Sequence, residues 1–522
     1  MRLRALSLCA LASAAWSGCA LDDAGPLDPA ADVAALAPGP AAAAPVAPRI
    51  TTPPRHNYED APRTPDVDDP AIWRPRSRHQ RPLVIGTLKN AGIEVYDLDG
   101  RILQTVSAPN RPAIGADDPP APGVQPEAAT SPCPGSASGE TFGRLNNVDI
   151  VYGVRMRRDG RWRRVDLAVV TDRGCDRLRI FAIEPGRAGG PLVDVTAPDA
   201  PRIFPTRRVL ASPVQSPGAP AVEVQPNPID DQDTTYGLAV YQDGGRVRVV
   251  VSQEHRNTLA VVELRATRDG RFTYEPRAEL RFPAVFDVAG PGGARVAWTP
   301  CREEPAEDLQ FEGLVVDTDH GVLYASQEIV GVWALDLDEL CGVVDVSPDH
   351  LVERVKSFGA PFWAVPDDGE YECLAEAPED VPAGTVAGPG VAGAGGAHLE
   401  ADVEGMTVYY DRGDATYLIV SSQGSSTFEV YDLAHRRRPL ASRNLGRFQI
   451  DGVGSTDGIT VVGADLGGAF RDGLLVIQNG DAPPPASTEP IAGYEYDGSA
   501  QLVYVRWADV AASFSPRLLT PR

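Results

Sequence analysis

Lysine is nearly absent from this chain of 522 residues: it stands only at positions 89 and 356, and arginine carries the rest of the positive charge. Acids outnumber bases by 72 to 48, for a formal net charge of -24. That balance argues against a direct electrostatic grip on nucleic acid or on an anionic membrane. An anionic ligand would need a cation between itself and such a protein. The seven histidines are scattered without HExxH spacing, and there is no CxxC or Cys/His zinc pattern, so thiolate metal chemistry is not expected. Also missing are an RHG with a later HD pair, a Cys with Arg six positions on, a GxxxxGK loop and a GxSxG elbow. Without them covalent catalysis is not expected, which leaves metal-activated water as the hydrolytic route.

Long amphipathic helical patterns are scarce too, whereas Gly (51) and Pro (49) are plentiful and 43% of residues are hydrophobic. This favours an all-β protein with many turns and a substantial core. The first residues, MRLRALSLCALASAAWSGC, carry two arginines, a short apolar run and small residues ending at Cys19. They read as a signal peptide over 1–19, too short for a membrane span. WSGC resembles a bacterial lipobox, which would place a lipid on Cys19; Ala20 after it favours the outer membrane, and periplasmic or extracellular release is the alternative. Residues 20–54 are Ala/Pro-rich and read as a disordered linker. In an oxidising compartment Cys133, Cys175, Cys301, Cys341 and Cys373 would give two disulfides and one thiol, with no pairing assignable from spacing.

Internal similarity organises the remainder. Six segments share a polar residue, a small residue and a short apolar strand: DPAIW from Asp69, NVDIVY from Asn147, YGLAVY from Tyr236, EGLVVD from Glu312, EGMTVY from Glu404 and DGITVV from Asp457. Each is followed by a second strand with its own polar terminus, at Lys89, Arg173, His255, Glu328, Gln423 and Asn479, and most by a third such as GIEVYDLDG or TFEVYDLAH. Units of this kind cannot bury their faces alone and stack into a ring. The spacing predicts a six-bladed β-propeller over 55–512, a tail over 513–522, and surface loops in the Pro/Ala- and Gly/Ala-rich insertions near 107–140 and 375–397.

In a propeller the inner-strand ends converge on the central channel. One tier would hold Asp69, Asn147, Tyr236, Glu312, Glu404 and Asp457, with Asp68 and Asp402 adding oxygens; the other would hold Lys89, Arg173, Glu328 and Gln423. Crowded carboxylates repel in low dielectric unless cations neutralise them. Oxygen-only ligands suit several Ca²⁺ ions better than Zn²⁺, and Lys89 and Arg173 are donor types that hold phosphate oxygens. The alternatives stand beside this: any single acid can be a solvated turn former, Tyr236 a core aromatic, and Lys89 and Arg173 partners of the same carboxylates. His255 in its slot would face solvent.

DDPAIW, GIEVYDLDG, RLNNVDIVY, VDLAVVTDR, YGLAVY, FEGL, DVEGMTVYY, SSQGSSTFEVYD and STDGI, in this order, resemble the motifs of the β-propeller phytases, calcium-dependent alkaline phytases of bacteria. The resemblance implies release of inorganic phosphate from phytate or another phosphomonoester. By motif position Asp68, Asp69, Glu312, Glu328, Asp402, Glu404 and Gln423 would ligate calcium, Lys89, Arg173 and Tyr236 would hold the phosphate being cleaved, and Asn147 and Asp457 would support the channel. The chain departs from the family at Lys89-Asn90, where two lysines are usual, and at SQEHR (252–256), where a further lysine is usual; both changes are expected to weaken a neighbouring phosphate site. Other classes would be a calcium propeller of lactonase or organophosphatase type, which needs no phosphate-holding Lys89 and Arg173, and a noncatalytic surface-binding propeller. A monomer is expected of a closed ring.

Overall fold

The computed structural model describes residues 44–57, 65–76, 80–109, 125–128, 143–204, 233–290, 293–303, 309–367, 370–435, 438–485, 496 and 498–521. The signal peptide, Cys19, most of the linker and Cys133 lie outside them. Val, Ile, Leu and Tyr in short runs, punctuated by turn-forming Gly and Asp, give strands almost everywhere, and the one α-helix among the described residues is Trp507–Ala512.

The six repeats form six antiparallel sheets. Their inner strands are Pro70–Trp73, Leu145–Arg158, Thr235–Asp243, Phe311–Asp317, Val403–Asp411 and Ile459–Val462. Each inner strand lies beside the next, and the sixth lies beside the first, so the ring closes. Apolar residues of facing sheets form the core between blades, as where Val169, Val249 and Val251 meet in one cluster.

The blades are joined by a recurring device. The second strand of each of the first five blades carries a hydroxyl at one position: Thr87, Thr171, Ser252, Ser326 and Ser421. In three of them it donates across to the next blade's inner strand: Thr171 Oγ1 to Tyr236 O (2.5 Å), Ser326 Oγ to Glu404 O (2.9 Å) and Ser421 Oγ to Thr456 O (3.0 Å). Gln478 takes the position in the sixth blade and accepts from Asp457 N. At the same level the glycines after Tyr236, Glu312 and Glu404 sit against neighbouring backbone. A Cβ on Gly237 would lie 1.8 Å from Glu312 O, and one on Gly405 2.3 Å from Asp457 O.

Three expectations change. A fourth strand completes every blade; in the sixth it is Ile50–Thr51, paired with Gly498–Arg506. The propeller therefore begins before residue 55: Ile50 and Thr51 pair with Tyr504 and Val503, and Arg55–Asn57 pairs with the start of the same strand, so that together they cover its edge. Leu502 N donates to Thr52 Oγ1 across 450 positions of sequence. The tail beyond residue 512 is docked rather than loose: Leu518 is buried, and Trp507 Nε1 donates to Leu519 O. The 375–397 insertion also contributes a strand, Val386–Gly388, to a small sheet with Phe362–Asp367 and Glu370–Leu374. Cys301–Cys373 ties that sheet to the segment after the Phe286–Ala289/Arg295–Trp298 hairpin, and Cys175 is disulfide-bonded as well.

Replacing Gly237 with Ala forces the blade 3–blade 4 seam apart. A loss of about 3 kcal/mol should appear as a lower urea midpoint; an unchanged midpoint would mean the seam is looser than its geometry indicates.

Candidate functional site

The inner strands of blades 2 to 5 each open with a β-bulge, at Leu145/Val148, Thr235/Leu238, Phe311/Leu314 and Val403/Met406. Two residues fill each bulge. The first aims its side chain into the channel mouth and the second packs on the next blade. In blades 3 to 5 these are Tyr236-Gly237, Glu312-Gly313 and Glu404-Gly405, and blade 6 follows with Asp457-Gly458. The same register gives Asn146-Asn147 in blade 2 and Asp68-Asp69 in blade 1.

This corrects the tier. Asp68 and Asn146, rather than Asp69 and Asn147, are equivalent to Glu312 and Glu404. Asp69 and Asn147 stand where the other blades have glycine. Asp69 Oδ2 accepts from Val148 N of blade 2 (2.9 Å), and Asn147 Oδ1 accepts from Asn146 Nδ2 (2.8 Å). Asn146 reaches the channel, with Nδ2 3.5 Å from Glu312 Oε1 and Oδ1 accepting from Arg173 Nη1 (3.2 Å).

Glu312, Glu328 and Glu404 each bring one carboxylate oxygen within 4.8 Å of the others. Tyr236 OH donates to Glu312 Oε2 (2.8 Å). Gln310 Nε2 donates to Glu328 Oε2 (3.0 Å), and Gln423 Nε2 to Asp457 Oδ1 (2.7 Å). Asp402 is half-buried on the same side, its carbonyl accepting from Gln423 N. Asp68 has no exposed surface; Lys89 Nζ lies 3.6 Å from its Oδ2 and 2.8 Å from Asp66 Oδ2, yet neither Asp68 oxygen accepts a hydrogen bond. Glu404 Oε2 is likewise buried without a donor.

Burial dominates the electrostatics. It holds the Asp68 and Glu404 carboxyls well above the usual range, against the pull of Lys89 on Asp68 and reinforced by Glu312 beside both. Asp457 is pushed up to about 8 by burial, with Lys89 lowering it and Glu312 and Asp66 raising it. Asp402 is pushed to about 6 by burial and by Glu303 and Glu312, and the Tyr236 phenol is raised by burial and by Glu312, Glu328 and Glu404. Buried carboxylate oxygens without donors, in an all-oxygen set, fit hard divalent cations such as Ca²⁺.

The cationic side chains are placed by acids that sequence reading passed over. Glu254, not His255, occupies the third blade's slot in register with Glu328, and it forms a two-pronged ion pair with Arg173, Arg173 Nε to Glu254 Oε2 being 2.8 Å. The SQE shared by 252–254 and 326–328 was the available signal. Arg173 also lies over the Tyr236 ring, 5.0 Å from its centroid. His255 is buried, its backbone N donating to Gln310 Oε1 (2.8 Å), and Arg256 Nε pairs with Asp233 Oδ2 at 3.1 Å. Neither is a surface group, because the turn that ends the strand folds them back onto Gln310 and Asp233.

A family model described as Phytase matches residues 31–110 and 356–488. A 3-phytase of Bacillus subtilis (strain 168) is 24% identical over 418 residues, covering 80% of this chain and 75% of that protein. Among solved structures, one described as a 6-phosphogluconolactonase of Bacteroides fragilis shares 12% identity over 73% of this chain and 70% of its own, with a TM-score of 0.28.

The unfolded Asp carboxyl titrates near 3.9, and Asp457 in the folded protein near 8. Between these values the folded state binds the extra proton, so stability without a divalent cation falls as pH rises from about 4 to 8. Thermal melts in chelator should drop across that interval, and added Ca²⁺ should restore most of the loss at the alkaline end. Melts in chelator that stay level in pH would contradict the burial of these acids.

Proposed function

We propose that this chain, a member of the phytase family, is a calcium-dependent phosphomonoester hydrolase whose leading substrate is phytate. The observation that carries the reading is the cluster of Asp68, Glu312, Glu328 and Glu404 at one channel mouth, with carboxylate oxygens of Asp68 and Glu404 lacking donors, beside Lys89 and Arg173.

Asp68, Glu312, Glu328 and Glu404 would hold the ions, with Asp402 and Gln423 at the edge and Asp69 contributing through the oxygen not bound to Val148. Bound calcium would neutralise substrate phosphate charge and lower the pKa of a water. The protein's own part is positioning. Arg173 is locked by Glu254, Asn146 and the Tyr236 ring, so its planar fork meets phosphate oxygens with little further loss of freedom. Tyr236 keeps its phenolic proton because burial and three neighbouring glutamates oppose ionisation, which suits it to donate to an oxygen carrying developing charge. Lys89, held by Asp66, adds a point charge on the blade 1 side.

At the neighbouring phosphate position Asn90 is neutral and buried. The chain therefore holds the phosphates that are not cleaved less tightly, which fits weak affinity for phytate or use of a smaller phosphomonoester. Export with an N-terminal lipid on Cys19 belongs to the same proposal: a Cys19→Ser chain should no longer take up labelled fatty acid and should keep its phosphatase activity.

The test is inorganic phosphate released from phytate with Ca²⁺ and with a chelator. Release is expected only with Ca²⁺; none in either, from a folded protein that binds Ca²⁺, would move the substrate elsewhere. Glu312→Ala should abolish turnover, and full activity at saturating Ca²⁺ would remove it from the site. Arg173→Ala should lower kcat by about 10², and an unchanged rate would do the same for Arg173.

A further inference from the structure

The inner strand of blade 2 is 14 residues long and its partner 12, whereas the inner strands of the other blades have between four and nine. It starts at the acidic mouth beside Asn146 and runs roughly 45 Å to a tip at Asp159-Gly160, so the tip lies on the opposite face of the ring. The ten residues Arg155–Arg164, RMRRDGRWRR, contain six arginines and one acid in a protein of net charge -24. Net charge argues against a polyanion grip by the molecule as a whole, but this hairpin concentrates charge of the other sign.

The hairpin keeps little of that charge for itself. Arg158 pairs with Glu184, and Arg164 Nη1 donates to Gly153 O. Arg161 and Arg163 are exposed and have no ion pair among the described residues. Trp162, 55% exposed, is one of the most exposed large apolar side chains, and Arg155 lies over its ring at 5.2 Å. At the hairpin's base the lower channel mouth opens as a cavity of about 640 Å³ lined by Arg74, Arg76 and Arg412 around Tyr152 and Tyr410. Arg74 and Arg412 have no carboxylate partner among the described residues, and Arg76 is 3.8 Å from Asp166.

We propose that this face docks on an anionic lipid surface, with the Arg155–Arg164 hairpin as its contact. An amphipathic indole flanked by guanidiniums matches the headgroup boundary, where aromatic rings sit between water and acyl chain and arginines meet phosphate. Arg74, Arg76 and Arg412 add positive charge between the hairpin and the channel axis, on a face where Asp243, Asp317 and Asp411 also end inner strands. Docked this way, the acidic mouth faces away from a surface that would repel it and stays open to soluble substrate.

Co-sedimentation of the full-length Cys19→Ser chain, loaded with Ca²⁺ and free of any acyl group, tests this with phosphatidylcholine vesicles with and without 30% phosphatidylglycerol. Binding is expected only with phosphatidylglycerol and should be lost at high salt. Each arginine is worth about fivefold in partitioning, so R161S/R163S should weaken binding by roughly 20-fold while phosphate release from soluble phytate is unchanged, which also shows that the variant folds. Trp162 fluorescence should shift to the blue on binding. Failure to sediment with anionic vesicles at low salt, or equal binding by R161S/R163S, would overturn the proposal. So would full release by inorganic phosphate at matched ionic strength, which would indicate a site for one small anion instead of a surface.

Discussion

Mutual repulsion among carboxylates in a confined channel is the constraint on which the remaining architecture depends. Asp68, Glu312, Glu404 and Asp457 come from four blades and are held at one level, where burial displaces the titration of Asp68, Glu404 and Asp457 upward. No local element could hold them there, since each contributes an unfavourable term that relaxes if its blade moves outward. The seams between blades supply the opposing force: apolar side chains between sheets, and hydroxyls from Thr171, Ser326 and Ser421 bonded to the next blade's backbone directly beneath the charged level. Stability is thus placed next to the strain it must contain.

Much of this was legible in the chain. Six polar-small-apolar segments in order imply a ring, and Glu312 and Glu404 before glycine are hard to read as turns because each opens a buried strand. What escaped was register. Asp69 and Asn147 look like the chemical residues because they precede the apolar run, but the glycine that follows Tyr236, Glu312, Glu404 and Asp457 shows that one position belongs to the seam, which moves the channel role to Asp68 and Asn146. Glu254 was passed over in favour of His255 for the same reason, a one-residue slip at a strand end reversing which side chain faces inward. The fourth strands are short and half-polar, such as LVD and LVER, and carry too little periodicity to be seen alone.

The charge distribution completes the picture of a polar molecule in the electrical sense. Buried acids gather at the upper mouth and arginines at the hairpin tip, while the lower mouth carries both signs, with Arg74 and Arg412 on the face where Asp243, Asp317 and Asp411 end inner strands. Arginine inside the ring is used differently from arginine outside it: Arg173 and Arg179 are buried and matched to Glu254 and Asp172, where planar geometry repays desolvation, while Arg161 and Arg163 remain hydrated. Two lysines suffice because Lys89 sits at the single place in the channel where a compact charge between Asp66 and Asp68 is wanted.

The sixth blade takes its outer strand from residues 50–51 and its third from residues 498–506. On the ribosome, or emerging from an export channel, the chain can therefore assemble five sheets in order of synthesis but must keep an open edge until the last residues arrive. Long-range pairing of this kind is slow to form, and any truncation near residue 500 would strand every earlier blade in an unsealed ring. The molecule's vulnerability thus lies in time as much as in energy: residues 50–51 are made before any blade and wait for residues 498–506 to pair with them, and that interval is when a helper that shields sheet edges would matter most.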